Sequence, residues 1–325
     1  MKRYLIGLLV CATIPIIILF TTIFKNSGFM ITAVGDIRIS QRFIKNSLPI
    51  IQKIHLDGDL TFANFEGVLS EKTFSDPFIL TMPYETPSIL KTMGIDYLSL
   101  ANNHSLDLGF EQYQDTYLRL KRESFLLAGY DDLGEVIKIK NRTIRIIGFS
   151  FNSPNDVLDP DKAIRIIENC QEDIIIVSAH MGGEDGKGYL IPGGMEYFGT
   201  EKRGDVVEFS RVCIDAGADL VLGHSPHILR KIEVYQNKLI VYSLGNFIFD
   251  YPGVERHPHS PGFSISIFIT ADGDFIKAKV NSYVLKNGIP IPDKNHRAFR
   301  FIKNLSVNLI FKNNGWVYHK LKERI

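Results

Sequence analysis

The segment DAGADLVLGHSPH, residues 215–227, gives the clearest indication of the fold class. It contains the end of a predicted helix over 205–217, closed by a glycine, and then the apolar strand DLVLGH over 219–224, which ends in His224. A helix that leads into a short apolar strand is typical of the repeating unit of an α/β sheet. The segment DIIIVSAH (173–180) is a second apolar strand with a terminal histidine. We therefore expect an α/β fold whose buried strands end in polar residues.

The alternation of helix and strand patterns extends over residues 28–223, whereas the later strands are joined as hairpins. The clearest hairpin signal is the pair FSISIFI (263–269) and FIKAKV (275–280), which flanks the turn sequence ADGD. The sheets are therefore predicted to be mixed. The sequence shows no internal repeat and no low-complexity linker, which favours one domain over two in this part of the chain.

The composition excludes several classes of protein. Of the 325 residues, 22% are charged and 45% are hydrophobic, as in a globular protein and unlike a disordered one. The 37 Lys and Arg residues balance 36 Asp and Glu residues, so the chain lacks the basic surplus that nucleic-acid binding requires. Three cysteines cannot staple a fold of this length, which excludes a disulfide scaffold.

The N-terminal run YLIGLLVCATIPIIILFTTIF, from Tyr4 to Phe24, carries no charge. As a helix it would span about 30 Å, the thickness of the hydrocarbon core of a bilayer. Lys2 and Arg3 precede the run, which predicts that the N-terminus stays in the cytoplasm. A cleaved signal peptide is the alternative, but it usually has a shorter apolar part and ends in a small-x-small site, and no good site of that kind ends this run. We expect residues 1–27 to form a cytoplasmic N-terminus and an uncleaved single-pass transmembrane anchor in the cell membrane, with the C-terminal domain extracellular.

Polar residues stand where the predicted strands end. They are Asp36, Glu66, Asn103 with His104, His180 and His224, and His227 follows three residues after the last of these. In an open α/β sheet the carboxyl ends of the strands meet in one crevice, so these side chains are expected to come together. Carboxylate, amide and imidazole groups suit Zn, Mn, Fe or Mg. A single histidine at a strand end is more often structural, but ligand-type residues at five strand ends predict a shared metal or catalytic site.

At these positions the sequence resembles a known family, the CapA proteins of poly-γ-glutamate capsule biosynthesis. Those proteins are in turn similar to calcineurin-like metallophosphoesterases. The resemblance lies between residues 33 and 250, about two-thirds of the chain, in the segments AVGDIRIS, FANFEGVLS, GIDYLSLANNHSLDLG, VSAHMGGE, DAGADLVLGHSPHILRKIEVY and VYSLGNFIFD. It implies a calcineurin-like metallophosphoesterase αββα sandwich with two mixed sheets over residues 28–270. A C-terminal hairpin and tail, residues 271–325, would pack on the same domain.

The resemblance also implies a role for each strand-end residue. One or two divalent metal ions would be held by Asp36, Glu66, Asn103, His180, His224 and His227. His104 corresponds to the histidine that donates a proton to the leaving group, and Asp107 would orient it. Asn246, just past a strand, is expected either to hydrogen-bond a ligand histidine or the substrate, or to be an ordinary turn residue.

This chain departs from the metallophosphoesterase pattern in three places. Arg38 stands where a metal-binding histidine is usual. The bridging acid is a glutamate, Glu66, rather than an aspartate. The last two histidines are three residues apart rather than two. A guanidinium group donates only and cannot ligate a metal, but it can bind an anion through two parallel hydrogen bonds. If the strand geometry continues past Asp36, Arg38 points to the same side as that acid, faces the cleft and would serve as an anion clamp. The alternative is a solvated arginine at the rim of the sheet.

The resemblance implies a part in the synthesis or export of an anionic capsule polymer of the poly-γ-glutamate type. The site chemistry favours a metal-dependent hydrolase or transferase acting on a phosphoester or a related anionic substrate. The alternative is a non-catalytic accessory subunit that binds polymer carboxylates through a metal-and-Arg cleft. Either protein would work at the membrane beside capsule synthetase subunits.

Overall fold

The computed structural model describes residues 28–184, 189–191, 193–254 and 260–320. The transmembrane helix predicted for residues 4–24 lies outside these ranges. Within them, no helix is both long enough and apolar enough to cross a bilayer.

The described residues form twenty strands and six helices. In chain order the strands are β1 (Phe29–Arg38), β2 (Leu60–Phe65), β3 (Val68–Leu69), β4 (Thr81–Met82), β5 (Tyr97–Ser99), β6 (Leu126–Ala128), β7 (Val136–Ile139), β8 (Arg142–Ser150), β9 (Ile174–His180), β10 (Glu196–Phe198), β11 (Glu201–Gly204), β12 (Leu220–His224), β13 (Ile232–Tyr235), β14 (Lys238–Val241), β15 (Asn246–Phe249), β16 (Pro261–Ile269), β17 (Phe275–Lys286), β18 (Ile289–Pro292), β19 (Leu309–Phe311) and β20 (Trp316–His319). The helices are α1 (Gln41–Ile51), α2 (Thr86–Thr92), α3 (Gly109–Arg122), α4 (Pro160–Glu168), α5 (Val206–Asp215) and α6 (Arg297–Leu305).

Two large sheets carry the fold. The larger has the strand order β19-β20-β17-β16-β1-β2-β5-β6, with β15 paired to β1 and β18 paired to β17. The smaller has the order β13-β14-β12-β9-β8-β7. Both are mixed, because β1 pairs in parallel with β2 but antiparallel with β16, and β8 pairs in parallel with β9 but antiparallel with β7. The prediction of an α/β fold with mixed sheets is confirmed.

The sheets pack against each other, and helices cover their outer faces. One buried cluster joins Ile31 and Phe62 of the larger sheet to Ile176 and Leu222 of the smaller. A second cluster places α1, α2 and α3 on the other face of the larger sheet, and a third places α4 and α5 on the other face of the smaller one. Successive strand residues therefore alternate between two apolar environments, which explains why these strands are apolar throughout.

The C-terminal part of the chain continues the larger sheet. Strand β16 pairs antiparallel with β17 along its whole length, and β17 then pairs with β18 and β20. Helix α6 packs with its Ala298, Phe299 and Ile302 side chains in the cluster between the sheets.

A close backbone approach positions the end of β1. A Cβ atom on Gly35 would lie 1.8 Å from the carbonyl oxygen of Gly245, so a larger residue at position 35 would collide with that backbone. Gly245 itself has φ +66°, in the left-handed region that favours glycine. The amide of Asp36 donates to the same Gly245 carbonyl at 2.9 Å, which fixes the next residue, Asp36, beside β15.

Candidate metal centre and cleft

The polar ends of the strands meet where the two sheets come together. In the larger sheet Asp36 is in register with Asn64 of β2 and with Asn246 of β15. In the smaller sheet His180, the last residue of β9, is in register with His224, the last residue of β12. These five side chains are buried.

The Asp36 carboxylate connects the two sheets. Its Oδ1 atom lies 2.9 Å from His224 Nδ1 and accepts a hydrogen bond of 2.9 Å from the amide of Asn64. Its Oδ2 atom lies 3.2 Å from His227 Nδ1. Asn64 also approaches His180 Nδ1 at 3.4 Å, so Asp36 and Asn64 together contact three histidines.

The three-residue spacing of the last two histidines has a backbone explanation. Ser225 has φ +95° and His227 has φ +55°, both unusual for residues other than glycine. This conformation turns the chain back, so that His224 and His227 each reach one oxygen of the same Asp36 carboxylate. Strained residues of this kind are common at functional sites, where the surrounding structure holds them.

Several buried donor atoms at this point suit a cation. One ligand atom each from Asp36, Glu66 and His180 lies within 4.8 Å of the other two, and all three residues are buried. The buried atoms His180 Nε2, His224 Nε2 and Asn103 Oδ1 have no hydrogen-bond partner among the described residues. Buried polar atoms are normally paired, so unpaired nitrogen and oxygen atoms beside two carboxylates fit a metal site.

The protonation of the cluster follows from its burial and its charges. Burial alone would raise the pKa of Asp36, but its hydrogen bonds with His224 and His227 outweigh burial and lower that pKa well below the usual range. Burial raises the pKa of Glu66 and lowers the pKa of His180, which keeps the His180 imidazole neutral. Burial alone would lower the pKa of His227, but the carboxylates of Glu66, Asp36 and Glu184 raise it to about 10.

The cluster opens into a cleft of about 520 Å³. His104 lines this cleft, and its Nδ1 atom lies 2.9 Å from Asp107 Oδ2. Asp107 Oδ2 also accepts a hydrogen bond from the backbone N–H of Leu80, which fixes the carboxylate. Asn103 lines the same cleft beside His104. The structure thus brings all the predicted metal-binding residues, together with His104 and Asp107, to one region.

Asn246 contacts a predicted ligand histidine. Its Oδ1 atom lies 2.9 Å from His227 Nδ1, and its amide donates to the His227 carbonyl oxygen at 3.2 Å. Asn246 also lines the cleft. The expected contact with a ligand histidine is therefore present, and binding of substrate by Asn246 stays a prediction.

The prediction placed Arg38 in the cleft, but Arg38 is not among the described residues that line it. Arg38 lines a neighbouring cavity of about 220 Å³, and Pro77 borders both this cavity and the cleft. Its Nη1 atom lies 3.9 Å from Asp250 Oδ2. The side-chain alternation of β1 continues past Asp36: Asp36 and Ile37 stay in register with β2, and the shift against β15 comes from an extra β15 residue, Phe247. Arg38 therefore points to the same side of the sheet as Asp36 but lies two residues further along the strand, beside Asp250 and beyond the cleft lining.

Sequence reasoning missed two residues of the site. The first is Asn102, which supports the cluster in addition to Asn103. Its amide donates to Asn64 Oδ1 at 3.2 Å, and its Oδ1 accepts a hydrogen bond from the His104 backbone N–H. Arg203 lines the cleft, although nothing in the sequence around it indicated this. The doublet of asparagines before His104 was the one available signal for Asn102.

The fold and the cluster define an α/β protein with a candidate metal centre at the joined edges of two mixed sheets. The sequence profile of a family described as bacterial capsule synthesis protein PGA_cap matches residues 30–251, which is more than half of the chain. The chain belongs to this family.

Relatives in three bacterial species show the same relationship. The PGA biosynthesis protein CapA of Bacillus subtilis is 31% identical over 249 residues, which are 67% of this chain and 62% of that protein. The capsule biosynthesis protein CapA of Bacillus anthracis is 26% identical over 194 residues, 53% of this chain and 44% of that protein. A probable polyglutamine synthesis accessory protein of Mycobacterium tuberculosis is 27% identical over 232 residues, 61% of this chain and 58% of that protein.

The matches therefore span between 44% and 62% of the length of these relatives. Among solved structures, a hypothetical protein from Thermus thermophilus aligns with 81% of this chain and 96% of its own, at 14% identity and a TM-score of 0.44.

Proposed function

We propose that this protein serves the synthesis or export of a poly-γ-glutamate-type capsule polymer and carries a metal-dependent, phosphoesterase-like hydrolase or transferase site in a calcineurin-like αββα fold. The family membership and the names of its relatives support the capsule role. The observation that carries the chemistry is the buried group of Asp36, Glu66 and His180, whose ligand atoms lie within 4.8 Å of one another.

The chain offers six residues to one or two divalent cations: Asp36, Glu66, Asn103, His180, His224 and His227. Carboxylate, amide and imidazole donors suit Mn, Zn, Fe or Mg. When bound, such a cation supplies Lewis-acid stabilisation of an anionic transition state and lowers the pKa of water at the site. Asn64 and Asn102 do not need to ligate, because their hydrogen bonds hold Asp36 and the His104 backbone in place.

His104 is the proton donor in this proposal. Asp107 holds its Nδ1 side at 2.9 Å, which leaves Nε2 for a group in the cleft. A histidine oriented by a carboxylate in this way can give a proton to the oxygen of a leaving group.

The test is turnover by the full chain in detergent micelles with added Mn²⁺ and the substrates p-nitrophenyl phosphate and bis(p-nitrophenyl) phosphate. We expect His104→Ala to reduce kcat by about 100- to 10,000-fold with unchanged Mn²⁺ content, because it removes a general acid but no metal ligand. His55→Ala is the matched control, since His55 is exposed and precedes β2, at the far end of that strand from the cleft. Equal rates for His104→Ala and wild type would refute the assignment.

The accessory subunit is the second candidate, and it is favoured by the Mycobacterium tuberculosis relative, which is named as a probable synthesis accessory protein. In that case the wild-type chain binds Mn²⁺ and a γ-linked glutamate oligomer but turns over none of the phosphoesters. Binding of the oligomer would then be unaffected by His104→Ala, because a binder has no use for a proton donor.

We further propose, from the sequence, that residues 1–27 anchor the protein in the cell membrane with the rest of the chain extracellular, where capsule synthetase subunits would be its partners. Protease added to cells stripped of their wall should then release a fragment that begins after about residue 27. Complete protection of the chain in such cells would contradict this topology.

A further inference from the structure

The guanidinium group of Arg203 gives the cleft a permanent positive charge. Among the described residues that line it, Arg203 is the only arginine or lysine. Arg203 lies in β11, and 3% of the residue is exposed. Its backbone carbonyl accepts a hydrogen bond of 2.7 Å from Gly182, which ties β11 to the segment that follows His180. An anion that enters the cleft therefore meets a guanidinium group close to the candidate metal centre.

Two aromatic rings hold this guanidinium group. Its Cζ atom lies 4.0 Å from the centre of the Phe151 ring and 5.2 Å from the centre of the Phe198 ring. Stacking on ring faces fixes the plane of a guanidinium group, so its N–H groups point in set directions. Phe198 lines the cleft as well, which places the stacked group at the cleft wall.

A carboxylate of the chain itself lies between Arg203 and the histidines. Arg203 Nη1 donates to Glu184 Oε1 at 2.6 Å, and Glu184 Oε2 lies 4.0 Å from His227 Nε2. Glu184 also lines the cleft. A second acid, Glu201, contacts Arg203 Nε at 2.8 Å from the more exposed side. The Glu184 carboxylate therefore lies where a substrate carboxylate or phosphate would have to bind in order to contact both Arg203 and the metal centre.

We propose that Arg203 binds the acidic group of the substrate and that Glu184 takes the place of that group when the cleft is empty of substrate. The proposal rests on the proposed function for the nature of the substrate, an anionic polymer or phosphoester. It transfers to Arg203 the anion-binding role that the sequence assigned to Arg38. The substrate anion exchanges with Glu184 on the Nη1 side, while Glu201 and the two rings keep Arg203 in position.

The two members of this ion pair should change anion affinity in opposite directions. Loss of the Arg203 guanidinium removes a buried charge-assisted contact, so affinity should fall at least about thirtyfold. Loss of the Glu184 charge removes a competitor, so affinity should rise by about tenfold if the internal contact occupies nine-tenths of the molecules. If the ion pair were purely structural, the two substitutions would not change anion affinity in opposite directions. Breaking the pair from either side would then disturb the same hairpin of β10 and β11.

The experiment is titration calorimetry of the full chain with inorganic phosphate and, separately, with a γ-linked glutamate hexamer, each with and without Mn²⁺. The variants are Arg203→Gln, Arg203→Lys and Glu184→Gln. Arg211→Gln is the matched control, because Arg211 also pairs with an acid, Glu233 at 2.6 Å, and also stacks near an aromatic ring, but lies on α5 outside the cleft lining. Melting temperatures show whether each variant is folded.

Weaker binding by Arg203→Gln, intermediate binding by Arg203→Lys, tighter binding by Glu184→Gln and no change in Arg211→Gln would support the proposal, and the probe that responds identifies the anion. Unchanged affinity in Arg203→Gln, a loss in both Glu184→Gln and Arg203→Gln, or a wild-type chain that binds neither probe would overturn it. A different result would overturn the proposed metal-dependent function without overturning the role of Arg203. In that result the wild-type chain and the variants show the expected anion affinities, but the wild-type chain binds no Mn²⁺.

Discussion

Metal binding should release a proton from His227. In the cluster, His227 Nδ1 lies 3.2 Å from Asp36 Oδ2 and its Nε2 lies 3.4 Å from Glu66 Oε1, and these carboxylates help to raise its pKa to about 10. The imidazole is therefore protonated at neutral pH. A cation can use it as a ligand only after that proton leaves, so the two compete for the same ring.

The sign and size of the pH dependence follow from these protonation states. Below the His227 pKa of about 10, each bound cation should displace about one proton, so metal affinity should rise about tenfold per pH unit and about 100-fold from pH 6.5 to 8.5. The raised pKa of Glu66 can only steepen this dependence. Asp36, already ionised, and His180, already neutral, add nothing to it.

The assay is calorimetric titration of the full chain with Mn²⁺ in two buffers that differ in ionisation enthalpy, because the difference in heat counts the protons released. His55→Gln serves as the control for ordinary surface histidines and should leave the count unchanged. A proton count near zero at pH 7, or an affinity that does not change over two pH units, would refute the reasoning.

Three further predictions concern the metal centre and its support. His180→Ala should weaken Mn²⁺ binding at least about 100-fold in equilibrium dialysis, because it removes a buried donor, whereas His55→Ala should leave the binding unchanged. Equal Mn²⁺ affinities for His180→Ala and wild type would contradict the ligand assignment. Glu196→Gln should lower the free energy of unfolding by about 3–5 kcal/mol in urea, because Arg230 is fully buried and pairs with both oxygens of Glu196 at 2.6 and 2.8 Å; an unchanged unfolding midpoint would count against this. Gly35→Ala should lower that free energy by about 1–3 kcal/mol, since its Cβ would lie 1.8 Å from a backbone oxygen, and a melting temperature equal to that of wild type would show that the backbone moves aside at no cost.

The sequence predicted well wherever the physics is local or follows from strand direction. Apolar runs of strand length alternated with helical patterns, and this was enough for an α/β fold with mixed sheets. Parallel strands bring their carboxyl ends to one edge, so His180 and His224, each the last residue of a strand, were expected to lie close together, and they are paired in register. The resemblance to a known family added the roles that spacing alone could not assign.

Predictions about which side chains share a cavity were weaker, because a cavity is bounded by several elements. Strand alternation places Arg38 on the same side of the sheet as Asp36, but it does not fix how far the cleft extends along β1, and Arg38 lines a neighbouring cavity instead. The closeness of His224 and His227 to one carboxylate depends on positive φ angles at Ser225 and His227, which no residue type at those positions announces.

Apolar periodicity and strand direction are properties of short segments, so the strands, the helices that cover them and the acids, amides and histidines at the strand ends can be predicted from sequence patterns alone. The facing of the two sheets, the contact of 2.9 Å between Asp36 of one sheet and His224 of the other, and the place of Arg203 rather than Arg38 at the cleft follow from tertiary packing. These contacts join residues that are far apart in the chain. Their geometry is set by the packing of the two sheets and of the β10–β11 hairpin, which no local sequence pattern encodes.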